Sequence, residues 1–316
     1  MDDQQALVAA ILRSPRIRNR IVVLCEGDVL AVRDGRPPSP QMYARLERMP
    51  DANFYRACVP RRWQNHRLPC FFTCGGRSQV LSVFAMLRTK HLEDPAASYL
   101  TPDKLYAIID LDLHVERMPD GYPWSTTEDV HAALYSDGAI AAAPDERHRI
   151  WVTALIHKEA FFVLPGVEAA WAHGLPPFFR GAPLSLRVVH SAVSERLKED
   201  VELTERLEVV VERLRRFSGG QRLVCSSGQA LGSSWRAVAE HADEQEYAEI
   251  LNALLAVAKV KPLWSEVVPE PKLGMPSPDA AFFRDQLALN VAAHIARLEP
   301  HEHPLASFFD FLAPRR

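Results

Sequence analysis

Four runs of apolar, often β-branched residues stand out of the hydrophobic pattern: 21–25 (IVVLC), 68–73 (LPCFFT), 105–109 (LYAII) within 104–113, and 150–156 (IWVTALI). Continuous apolar runs of this length predict strands covered on both faces, as in a parallel sheet. Three of them run straight into charged residues: Glu26-Gly27-Asp28, Asp110-Leu111-Asp112 and His157-Lys158-Glu159. The second run is followed by Gly75-Gly76 and then by a helical period over 77–87, with Val80, Phe84 and Leu87 on one face. The chain starts on a short helix. The Pro-rich stretch 36–40 predicts a loop and 41–49 a short helix stopped by Pro50, with Asp51 placed to cap the next turn.

Strands alternating with helical segments between residues 20 and 165 predict an α/β fold with a mainly parallel sheet flanked by helices. Past Pro183 the period changes. Leu197, Val201, Thr204, Leu207, Val211 and Leu214 recur at helical spacing, as do Tyr247, Ile250, Leu251 and Leu254, and Phe283, Leu287, Val291 and Ile295. The expected organisation is therefore an α/β catalytic domain over 1–182 and a mostly helical C-terminal region over 183–316.

Composition narrows the class without fixing it. The 316 residues are 47% hydrophobic and 24% charged, ordinary values for a globular protein. No apolar run approaches the ~18–20 residues of a membrane span, and the first twenty residues place acids before bases, the reverse of a secretory signal. A cytoplasmic protein is expected, with no membrane partner. Five cysteines (Cys25, Cys58, Cys70, Cys74, Cys225) form no CxxC pair; a strand would hold Cys70 and Cys74 about 13 Å apart, so buried thiols are expected rather than a zinc site. The formal charge of −3 carries no global signature of nucleic-acid binding, which would have to use local basic patches. Arg61-Arg62-Trp63 opens one such segment, bases interleaved with an aromatic, suited to phosphate contact and stacking or simply to a basic surface loop. Arg213-Leu214-Arg215-Arg216 is expected on the solvated face of a helix, and His301-Glu302-His303 in a flexible polar segment.

In a parallel α/β sheet, ligands collect at the carboxyl ends of strands, where both acidic motifs fall. On an extended backbone Asp110 and Asp112 would project from one face about 6.6–7 Å apart. Two like charges so placed repel, and a divalent cation relieves both the repulsion and the cost of burying them; oxygen ligands suit Mg²⁺ or Mn²⁺. Glu26 supplies a third ligand if its strand is adjacent, or a general base.

The order IVVLCEG, then YAIIDLDL, resembles the Toprim domain, with its strand-end Glu-Gly and its Asp-x-Asp on a later strand. The closer likeness is to small bacterial Toprim-like nucleases of the OLD type. Asp51-Ala52-Asn53-Phe54-Tyr55, Gly75-Gly76-Arg77 and Glu159-Ala160-Phe161-Phe162 could fill the later places of that pattern, which covers roughly residues 20–170. Asp28 comes earlier, and Asp51 later, than the acid that usually follows the family's Glu-Gly. The resemblance implies a nuclease that cleaves DNA or RNA with one or two Mg²⁺ or Mn²⁺ ions, in phage or mobile-element defence. Glu26, Asp110, Asp112 and Glu159 would hold metal, with Asp28 and Asp51 competing for the fourth place. Lys158 would steady the phosphate and Arg77 would add to a phosphate grip at its helix start. Two rivals stand beside it: a Toprim-derived module that binds nucleic acid, a partner protein or a second copy without cleaving, and a haloacid-dehalogenase-type phosphatase with Asp110 as nucleophile.

Overall fold

The computed structural model describes residues 3–28, 49–64, 67–141, 144, 146–172, 174–271 and 278–313. The expected loop at 36–40, and the helix at 41–49 up to its last residue, lie outside the described residues.

All four apolar runs form strands of one sheet: β1 Val22–Cys25, β2 Cys70–Thr73, β3 Leu105–Ile109 and, after a short β4/β5 hairpin (Tyr135–Ser136, Ala139–Ile140), β6 Ile150–Val152. Their order is β2-β1-β3-β6 and every pairing is parallel. Burial is almost complete along each strand, which is why none shows polar alternation. Helix α1 (Asp3–Leu12) precedes the sheet, α2 (Pro50–Ala57) leads from β1 towards β2, α3 (Arg77–Glu93) connects β2 to β3, and α4 (Thr127–Leu134) connects β3 to β6. Since the chain leaves β1 for β2 on one side and returns to β3 on the other, the order reverses at β1. That is the switch point at which open α/β sheets form a crevice beyond their carboxyl ends.

Past residue 183 the chain is mainly helical, with Leu186–Arg196, Gly228–His241, Glu244–Leu255, Ala280–Ile295 and Pro304–Leu312 the longest helices. The helical period over 197–214 is broken into short pieces, the last being Leu207–Leu214. A small antiparallel sheet of β7 (Pro177–Phe179), β8 (Ala182–Pro183) and β9 (Val268–Pro269) straddles residue 182. The element type changes near that residue while the core does not break: one apolar cluster runs from Leu7 to Leu312. Phe309 packs edge-on against Phe71 of β2, and Trp151 of β6 against Phe308. Among the described residues no helix is long and apolar enough to cross a membrane. No disulfide joins any of the five cysteines, all of which lie among the described residues, and Cys25, Cys58, Cys70 and Cys74 are buried.

Candidate functional site

β1 ends at Cys25 and the next residue, Glu26, reaches across to β3. Because Cys25 pairs with Ile108, Glu26 falls beside the end of β3, and its Oε1 accepts the Asp110 backbone N–H at 2.7 Å. The adjacency on which Glu26 depended is therefore present. Gly27 (φ +139°) and Gly75 (φ +91°) exchange a pair of backbone hydrogen bonds of 3.1 and 3.0 Å and join the ends of β1 and β2. A Cβ on Gly27 would come within 2.2 Å of Asp51 Oδ2, so only glycine admits that carboxylate. Asp51 lies in the first turn of α2 behind the cap residue Met49; it does not cap the helix, and turns instead to Lys158.

The acidic turn differs from the extended pair expected of it. β3 stops at Ile109 and Asp112 adopts a left-handed backbone, φ +37°, with its N–H donating to Ile156 O at 2.9 Å and its Oδ1 accepting from the Leu113 N–H at 2.7 Å. Leu111 and Leu113 are fully buried, and the two aspartates stay at the cleft because the leucines between and after them anchor the turn.

These residues line a cleft of about 900 Å³ in which six carboxylates (Glu26, Asp28, Asp51, Asp110, Asp112, Glu159) face three lysines (Lys158, Lys259, Lys261). Burial raises the Glu26 carboxyl to about 7, with Asp112 adding to the rise and the Asp110 N–H and Arg77 opposing it. Burial, then Glu26 and Glu159, push Asp110 to about 8. Glu159 is also buried, which would raise it, yet His157 and Lys158 outweigh burial and hold it well below the ordinary carboxylate range. Lys158 is ion-paired with Asp51 and lies 3.3 Å from Glu159; burial disfavours its charge, but Glu159, Asp51 and Asp110 more than restore it.

Lys259, Lys261, Pro262 and Ser265 come from the C-terminal part, and the expected site did not include them. Their segment is pinned to the strand ends: Ile156 N–H donates to Leu255 O at 3.0 Å, and His157 Nε2 accepts the Val260 N–H at 3.2 Å. With Nε2 accepting, the proton of a neutral His157 sits on Nδ1, 3.1 Å from Glu159 Oε2. A lone KVK tripeptide a hundred residues from the acidic motifs carries no sequence signal for this placement.

Several expected site residues lie elsewhere. Arg77, expected in a phosphate grip, stands behind the acidic turn: its guanidinium is buried, its two terminal nitrogens donate to Leu111 O at 3.2 Å, Asp110 O at 3.5 Å and His114 O, and its Nε has no hydrogen-bond partner among the described residues. Arg61, Arg62 and Trp63 follow α2 and precede β2, at the amino end of the sheet, and none lines the cleft. Arg62 pairs with Asp310 at 2.9 Å and Trp63 packs on the core. Arg213, expected in solvent, is fully buried, whereas Arg215 is exposed as expected. His303 is also buried and accepts the Leu305 N–H at 3.1 Å through Nδ1, capping its helix.

Among the described residues no three His, Cys, Asp or Glu side chains already stand as a set able to hold a metal ion. The donor chemistry nevertheless fits a hard divalent cation: all-oxygen ligands in excess over the lysines, two of them, Glu26 and Asp110, kept from ionising by burial and by neighbouring carboxylates. Comparison of the chain with protein-family models, curated proteins and solved structures finds no match.

Proposed function

We propose that this chain is a divalent-metal-dependent nuclease with a Toprim-like catalytic core, cleaving phosphodiester bonds in DNA or RNA. The observation that carries the reading is the meeting of Glu26 and Asp110 at the sheet's switch point, where the Glu26 carboxylate accepts the Asp110 backbone N–H, in a cleft where burial and neighbouring carboxylates hold both groups above the ordinary carboxylate range.

Glu26, Asp110 and Asp112, with Glu159 as a further oxygen donor, would hold Mg²⁺ or Mn²⁺. The bound cation supplies neutralisation of the scissile phosphate and acidification of water. Lys158, kept charged by Glu159, Asp51 and Asp110, stands in the cleft to donate to a phosphate oxygen. Lys261 lines the same cleft, is exposed and has no ion-pair partner among the described residues; it offers a second contact to the substrate backbone. Glu26 titrates near neutrality, the range in which a carboxylate both accepts and returns a proton, so it serves as ligand or as general base.

Asp110→Ala separates an enzyme from a binding module. The variant should lose Mg²⁺-dependent cleavage by a factor of about 10² or more while binding single-stranded and duplex oligonucleotides within severalfold of the wild type, as measured by fluorescence anisotropy. Wild-type protein that binds these probes and cleaves none of them would turn the assignment to a binding module.

A further inference from the structure

The acidic turn is held in its left-handed form by two buried arginines. Arg77, at the start of α3, takes the carbonyls of Asp110, Leu111 and His114. Arg213, on the helix Leu207–Leu214, donates through Nη2 to Asp112 O at 2.6 Å and through Nη1 to Ala256 O at 2.8 Å, with Glu128 of α4 as its counterion. Its side chain has no exposure at all. Glu128 is in turn shared with Arg216, 3.6 Å away. A buried guanidinium is costly unless its donors are used, and here the two terminal nitrogens of the planar fork span two backbone carbonyls in a way that a lysine ammonium cannot reproduce, while Nε has no hydrogen-bond partner among the described residues. One of those carbonyls belongs to the single aspartate of the turn whose φ is positive, a conformation that a non-glycine residue keeps only when its surroundings impose it.

We propose that Arg213 is a positioning residue for the metal site: by holding the Asp112 carbonyl it sets the direction of the Asp112 carboxylate into the cleft, and so couples cation affinity to the C-terminal helices. This rests on the metal-site reading above. Ala256 O, its other acceptor, directly follows the helix whose Leu255 carbonyl receives the Ile156 N–H. Arg213 thus ties the acidic turn and the segment carrying Lys259 and Lys261 to one point. Groups behind a ligand that fix its orientation typically change metal affinity by about 10- to 100-fold when replaced.

The experiment is calorimetric titration of Mn²⁺ into full-length wild type, Arg213→Lys and Arg215→Lys, with circular dichroism to confirm the native fold. Arg215 is exposed and, among the described residues, pairs with Glu212 alone, so its variant controls for lost guanidinium at the surface. Folded Arg213→Lys should bind Mn²⁺ about 10- to 100-fold more weakly, and Arg215→Lys like the wild type. Should Arg213→Lys fail to fold, Glu128→Gln carries the same test by leaving Arg213 without its counterion, with a severalfold loss expected. Equal affinities for wild type and a folded Arg213→Lys or Glu128→Gln variant would overturn this inference alone. Absence of Mn²⁺ binding by the wild type would overturn the metal-site reading and this inference with it.

Discussion

At Glu26 and Asp110, burial and neighbouring carboxylates oppose ionisation, and the pH dependence of stability follows. In the unfolded chain both carboxyls lose their protons near pH 4; in the folded protein they keep them to about 7 and about 8. Unfolding therefore releases protons in this window, so the pair costs nothing below about pH 4 and destabilises the metal-free protein progressively as pH rises through 8. Glu26→Gln and Asp110→Asn should each raise its melting temperature at pH 8 by a few degrees and change it less at pH 5. A lower melting temperature at pH 8 in both would show that the carboxylates stabilise the fold and are not held under strain. Both positions were legible in the sequence because each directly follows an apolar strand. The burial of Arg77 and Arg213 was not: an arginine after a glycine pair looks like a phosphate contact and one in an RLRR run like a solvent-facing cation, and only the carbonyls of a distant turn explain why both are buried.

The turn elements around the strand ends are specified by backbone needs. Gly27→Ala combines a positive φ with a clash against Asp51 and should cost about 1–3 kcal/mol in denaturant unfolding. Gly76→Ala, with open space around it and ordinary φ, should stay within about 1 kcal/mol; equal losses at the two positions would contradict this account of the cleft floor. Thr153 accepts the buried Leu111 N–H at 3.0 Å and donates to Leu155 O at 2.7 Å. Thr153→Val strands that N–H and should destabilise by about 1–3 kcal/mol, measured in the same way. The strands themselves were readable from their apolar runs. The Asp110-Leu111-Asp112 geometry was not, since strand alternation assumes a ladder that ends here at Ile109, one residue before the acids begin.

At the scale of the molecule, the C-terminal helices complete both the core and the cleft. Phe308 and Phe309 pack against strand residues Trp151 and Phe71, and Lys259, ion-paired with Glu202, and Lys261 line the cleft together with the acids. A fragment of residues 1–182 should therefore lack a cooperative thermal transition, while the full chain shows one; a fragment that melts cooperatively would mean that the shared core is dispensable. The change from alternating elements to helices was legible near residue 182, but periodicity says nothing about which helix faces cover which strands, so the shared core was not. The central claim is that the cleft works on phosphodiesters with a divalent cation. Its most direct measurement is the hydrolysis of labelled single-stranded and duplex DNA and RNA by full-length protein, as Mg²⁺ or Mn²⁺ is raised from zero in a chelator-treated sample. Cleavage that appears with the cation, saturates, and disappears on chelation is the expected result. No hydrolysis of any of these substrates by folded protein in either metal would contradict it.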